Sequence, residues 1–357
     1  HEIGHALGLP HNMKASSAYP VDSLRSGNFT QKFGIATSIM DYARYNYVAQ
    51  PGDTNIRFVR QLGPYDDYSI EWGYRYFGET PENEREILRK IVDLKSLDPI
   101  YMFGGYGNDP NSQTENIGDD PVKASMYGIK NLKIVANNLE NWTLEPNDNY
   151  EELNEIYGEL ISVYRRYIYH VHNIVGGIYN TTHNSNQLGV TTYLNTDVSK
   201  QKEALLFLEK NLWKTQDWLM KKELVSKIKG EGVLNSFQDL QIGALNRFLS
   251  VSKLNRMLSA QESLLGNALT VEQLLQSLFK AIATKSFSKE DLFEQRLQLH
   301  FVDRINLLME EKDLNPTIKG LLMQLKNNFY KLSKRKTRFA SGKKKAHFNY
   351  LKSLSNN

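Results

Sequence analysis

His1-Glu2-Ile3-Gly4-His5-Ala6-Leu7-Gly8-Leu9-Pro10-His11 opens the chain, and its spacing decides how the rest is read. On a helix, His1 and His5 lie four residues apart and therefore on one face, one turn apart. Two imidazoles held this way can grip one divalent metal ion, with Glu2 beside them as a general base. Gly8 takes positive φ without steric cost, so the chain can turn sharply out of the helix there. The turn brings His11 back as a third nitrogen ligand. Three histidines and one open position suit a catalytic zinc ion, whereas structural zinc sites are closed by four protein ligands. A bare histidine pair at this spacing also occurs on helices that hold no metal. The glycine and the third histidine at fixed offsets set this stretch apart.

Thr37-Ser38-Ile39-Met40-Asp41-Tyr42 follows downstream, a short turn with a methionine among apolar and small residues. Together the two stretches resemble the metzincin zinc peptidases, whose motif is HExxHxxGxxH followed by a methionine turn. The resemblance implies that His1, His5 and His11 bind Zn(2+), that Glu2 is the catalytic base and that Gly8 supports the turn. It makes Met40 the hydrophobic floor under the metal, which is itself the packing role of a core methionine. Tyr42 has two readings. Its phenol can donate a hydrogen bond to charge developing on a scissile carbonyl, as a tyrosine does in the astacin and serralysin branches. It can equally pack in the wall with its hydroxyl satisfied locally.

In metzincins the stretch after the turn walls the primed-side specificity pocket, which implies Tyr45, Tyr47 and Val48 as substrate-binding candidates. The alternative is a surface loop with ordinary aromatic packing. The segments Gly63-Pro64-Tyr65-Asp66-Asp67-Tyr68, Trp72-Gly73-Tyr74, Asn116-Ile117-Gly118-Asp119-Asp120, Tyr127-Gly128 and Asn131-Leu132-Lys133 narrow the resemblance. They are similar to the large bacterial Met-zincin proteins typical of Bacteroidetes, which carry the peptidase motif mid-chain.

With 357 residues, 40% hydrophobic and 24% charged, the chain has the composition of a soluble globular protein with room for two or three cores. No apolar run approaches the ~20 residues of a membrane span. The absence of cysteine excludes disulfides and thiolate–zinc sites. The net charge is +4, its excess gathered at Lys331, Lys334, Arg335, Lys336, Arg338, Lys343, Lys344 and Lys345. Such a run can touch nucleic acid or anionic lipid. The preferred reading is a solvated, partly mobile basic tail with no nucleic-acid partner.

The expected fold is mainly α: the C-terminal part of a metzincin catalytic domain, then an all-α helical region. Its boundaries are placed at 1–80 for the active-site helix, methionine turn and C-terminal subdomain, 81–185 for a helical extension with a long loop, and 186–357 for a helical region with the basic tail. A helix over 1–9 leads into a loop-rich stretch. Asp66 and Asp67 sit in the first turn of another helix, where the dipole favours acid; calcium binding is the weaker alternative. A further helix starts after Thr80-Pro81 and one is capped by Asp119 or Asp120.

The apolar stripe Leu153, Ile156, Tyr157, Leu160, Ile161, Tyr164, Tyr167, Ile168, Val171 predicts a long helix ending near Gly176-Gly177. His170 and His172 stand two apart, a poor metal pair, and read as packing or surface residues. Asn180, Asn184, Ser185, Asn186 and Gln187 mark a polar boundary, and Thr191-Thr192-Tyr193-Leu194 can form a strand of one hairpin. Beyond it, Ala204–Leu219, Leu240–Leu249, Val271–Ile282, Leu292–Leu308 and Ile318–Leu332 suggest a helical bundle.

A chain that begins on a zinc ligand reads as the C-terminal portion of a longer precursor, with the metzincin sheet and its substrate-pairing edge strand upstream. The resemblance implies a zinc-dependent endopeptidase acting on protein or peptide substrates in an extracytoplasmic setting, whether periplasmic, outer-membrane-anchored or secreted. The alternative is an inactive peptidase-like module used in protein binding through its helical region. No feature of the sequence sets an oligomeric state or a cleavage preference.

Overall fold

The computed structural model describes residues 1–105, 107, 109–146, 149–185, 187, 189–228, 230–263, 268–284 and 291–356. Asn186 of the polar stretch lies outside them. The chain is mainly α, and no helix among the described residues is long and apolar enough to cross a membrane. It resolves into two compact units: residues 1–134 with 177–196, and residues 135–176 with 197–357. These cuts fall elsewhere than at 80 and 185.

The first unit begins with α1 (Glu2–Ala6), followed by α2 (Gly27–Phe33), α3 (Pro64–Tyr74) and α4 (Pro81–Lys95). Thr80 accepts from the Asn83 amide at the head of α4, with Pro81 in the first turn. The next helix, α5 (Pro121–Thr143), runs from this unit into the second. Asp120, rather than Asp119, caps it, accepting from the Lys123 amide at 3.0 Å. The unit closes with an antiparallel hairpin, β1 (Ile178–Asn180) and β2 (Tyr193–Asn195), in which Tyr179 stands opposite Leu194.

Between α1 and α3 the backbone has little regular structure, so its polar groups need side-chain partners. Asn46 donates to the carbonyls of Leu24 at 2.7 Å and Arg57 at 3.2 Å. Asn131 donates to Tyr47 and Ala49 at 2.9 and 2.8 Å. Asp53 receives Arg25 in a bidentate pair at 2.8 and 2.9 Å and also accepts from the Gln50 amide. Beneath this mesh Tyr19, Val21, Leu24, Ile35, Val48, Ile117 and Ala124 form an apolar core, with Phe29, Tyr47 and Tyr127 packed against it.

The second unit contains α6 (Glu151–His172), α7 (Val198–Asn211), α8 (Lys222–Val225), α9 (Gly230–Phe248), α10 (Val251–Glu262), α11 (Val271–Ala283), α12 (Leu292–Glu310), α13 (Pro316–Thr337) and α14 (Gly342–Leu354). The α6 stripe is buried as its spacing requires, except Ile156, which is 36% exposed. His170 and His172 are both buried. The Nε2 of His172 faces the Ala244 carbonyl at 3.1 Å, so these are packing residues. In the bundle Phe329 meets Phe279 and Phe301 edge to face, with centroids 4.9 and 5.1 Å apart.

Several sequence expectations need correction. The first helix ends at Ala6 rather than residue 9, because Leu7 and Gly8 already form the turn. The apolar run after Ala204 leaves the helix at Asn211, and Trp213 and Leu219 pack from turns. The helices α2, α10 and α14 had no place in the sequence reading. The basic run is no mobile tail: it spans the end of α13 and the start of α14. The latter is anchored by His347, Phe348 and Leu351, with His347 Nε2 donating to Gln298 at 3.0 Å.

Within this unit Lys253 is 8% exposed, its Nζ donating to the Val175 carbonyl near the Phe248 ring. Desolvation, with a smaller push from Arg256, lowers its amine to about 7. An unfolded lysine titrates near ~10.4, so between these values the unfolded chain binds more protons. Stability is therefore complete above the unfolded value and lost as pH falls through about 7. Lys253→Met should flatten the rise in urea midpoint between about pH 7 and 9.5, where wild type gains more than the variant. Parallel pH profiles for the two proteins would show that the buried amine is not the cause.

Candidate metal centre

All components of this centre lie in the first unit. The short α1 has no buried residue, so packing against a core does not hold it. Two backbone features shape it instead. Gly8 sits at φ +81, a left-handed turn that glycine adopts without strain, and Leu9 N then donates to the Gly4 carbonyl at 2.9 Å. Gly4 lies directly against the methionine of the downstream turn: a Cβ there would stand 2.3 Å from Met40 Sδ. Met40 is fully buried, so the sulfur has little space in which to move.

The three histidines converge. One ligand nitrogen from each of His1, His5 and His11 lies within 4.8 Å of the others. His1 Nδ1 is 2.7 Å from the Ile39 carbonyl and His5 Nδ1 is 2.9 Å from the Leu9 carbonyl. A carbonyl oxygen only accepts, so both Nδ1 atoms carry hydrogen and each Nε2 of the neutral ring presents a lone pair. His1 Nε2 is buried without a hydrogen-bond partner, the arrangement expected of an atom that serves as a ligand. His5 Nε2 and His11 Nε2 are 3.0 Å apart, close enough for both to reach one ion. A donor set of three imidazoles, with neither thiolate nor carboxylate, fits zinc with one position left open.

Tyr42 belongs to the cluster. Its ring is 5.2 Å from that of His1, at 29°, and 4.7 Å from that of His11. Glu2 is exposed on α1 beside the histidines. The three residues read as pocket wall are separated by burial: Tyr45 is 67% exposed, Tyr47 is half-buried on the core and Val48 is wholly inside it.

Five residues have supporting roles that no local sequence pattern shows. Asp66, read as helix-start charge, is buried, and Gly63 N donates to its Oδ2 at 2.9 Å as the first turn of α3 begins. The same carboxylate also accepts from Ser38 Oγ at 2.6 Å and from Ile39 N at 2.9 Å. It thereby ties the methionine turn to α3. The signal was present in an acid three residues after a helix-start glycine, but its second set of partners comes from 28 residues away.

Arg60 donates to the carbonyls of Ile39, at 3.0 Å, and Asp41. Asp41 is wholly buried and accepts from Ser16 N at 2.8 Å; desolvation pushes its carboxyl up to about 6. Asn12, next to His11, takes its amide to the Met40 carbonyl at 3.2 Å. Its side chain clamps Met102 O at 2.9 Å and Gly104 N at 3.1 Å. Two residues on, Lys14 forms a buried ion pair with Asp109 at 2.6 Å and also donates to the Asn180 carbonyl of β1.

No curated protein and no solved structure matches the chain. The sequence profile of the family described as Met-zincin does, over residues 1–289, a span that takes in the histidine triad, the methionine turn and most of the helical bundle. The chain belongs to the Met-zincin family.

Proposed function

We propose that this chain acts as a zinc-dependent endopeptidase that hydrolyses internal bonds of protein substrates. His1, His5 and His11 would hold the metal, Glu2 act as general base and Tyr42 as oxyanion donor. The observation that carries this reading is the convergence of three imidazole nitrogens with no fourth protein ligand among the described residues. Zinc held there supplies Lewis acidity that brings the pKa of a water toward ~7 and polarises a carbonyl.

The chain's own residues do the rest. Glu2 takes the proton from the attacking water and later delivers it to the leaving amine. The Tyr42 phenol, packed beside His1 and His11, donates to the oxygen on which negative charge develops. The Ile39 and Leu9 carbonyls fix the tautomers of His1 and His5, so that Nε2 of each would be free to hold the metal. Tyr45 offers an exposed ring to a substrate side chain, while Tyr47 and Val48 support that wall from the core. An extracytoplasmic setting accompanies this reading through the family resemblance.

Glu2→Gln in the intact protein should leave one zinc bound per chain and reduce cleavage of an unfolded protein by about 10²–10⁴-fold. A chelator should abolish cleavage by the wild type. Zinc retention with no chelator-sensitive cleavage in the wild type would assign the chain to the binding-module alternative, and full activity of Glu2→Gln would remove Glu2 as the base. Tyr42→Phe separates the two readings of that phenol. A loss of about 10²–10³-fold in kcat marks the oxyanion donor, and an unchanged kcat marks a packed wall residue.

A further inference from the structure

Peptide hydrolysis at the histidine triad makes no use of the α13–α14 hairpin, where the chain concentrates its charge. From Leu314 to Asn357 there are eleven lysines and arginines and no aspartate or glutamate, and the rest of the chain is net negative. At the end of α13 and its C-cap, Lys331, Lys334, Arg335 and Arg338 follow the i, i+3, i+4, i+7 pattern of one helical stripe, and all four are exposed. The opposite side, with Leu325, Phe329 and Leu332, is buried. On α14, His347, Phe348 and Leu351 face inward while Lys343 and Lys345 are exposed. The turn between the helices carries Phe339, 87% exposed, directly after Arg338.

Local stability accounts for only part of this, since Lys334, Arg335 and Lys336 suit the negative end of the α13 dipole. Cations in the first turn of α14 oppose the positive end of its dipole. Like charges at i+3 and i+4 repel. A phenyl ring in water forgoes its burial energy. Three unfavourable choices at one tip point to a partner outside the chain that is anionic and can also accept an apolar ring.

We propose that the tip of this hairpin docks peripherally on an anionic phospholipid surface. The lysine and arginine heads meet the lipid phosphates, and the Phe339 ring enters the boundary between headgroups and acyl chains. Tyr350, 58% exposed and seven residues after Lys343, continues the same face with the kind of ring that sits at headgroup level. Nucleic acid suits the surface less well. Base stacking uses a groove that tracks the strand, whereas Phe339 stands at the apex of a helical turn.

The test is co-sedimentation of the full chain with vesicles of phosphatidylcholine, alone and in equal parts with phosphatidylglycerol. Binding should require phosphatidylglycerol and weaken with salt. Each cation near such a surface strengthens binding about fivefold. Lys343→Glu with Lys345→Glu should therefore weaken it by more than about tenfold, with the thermal transition no lower than in wild type. Phe339→Trp, which keeps every charge, should show a blue-shifted emission on the anionic vesicles only. Equal binding to both vesicle types, an unshifted tryptophan, or tighter binding to a DNA oligonucleotide than to the anionic vesicles would each overturn the proposal.

Discussion

The carboxylate of Asp66 is the pin on which the metal centre turns. It receives three donors at once, from Ser38, Ile39 and Gly63. It thus begins α3 and fixes the methionine turn through one charged group. Ile39 in turn offers its carbonyl to His1 Nδ1, and Met40 lies against Gly4 of α1. The orientation of the first histidine is therefore set by an aspartate far along the chain. A buried carboxylate with three hydrogen bonds is tolerated because its lone pairs are used.

The same logic runs through the first unit. Between α1 and α3 there is little helix, so few backbone ladders satisfy the amides and carbonyls there. Asn12, Asn46, Asn131, Asp41 and Asp53 perform that work with side chains. Such a region is rigid where those bonds are made, which is what a site carried on a helix with no buried residue requires.

The histidine cluster was legible in the sequence because it depends on short, fixed spacings: His1 to His5 across a helical turn, and Gly8 before His11. The long apolar stripe of α6 was legible for the same reason. The supporting residues were not. Arg60 and Asp41 act through partners distant in sequence, which no local pattern encodes. The end of the first helix was misplaced because Leu7 continues an apolar rhythm that the backbone abandons for the Gly8 turn. The basic terminus was misread as a tail because charge masked its inward residues. Phe329, Leu332, Phe348 and Leu351 carry the periodicity that packs both helices.

The contact between Lys14 and Asn180 joins residues 166 positions apart. The segment carrying the third histidine is thus completed only when the chain returns as β1, after the whole of α6 has been made. During synthesis Lys14 therefore emerges long before the residue that braces it. Helices of the second unit form from near neighbours, whereas this centre waits for one of the longest closures in the protein. The brace beside the third histidine thus belongs to the non-local part of the fold, while the bundle is built from near neighbours.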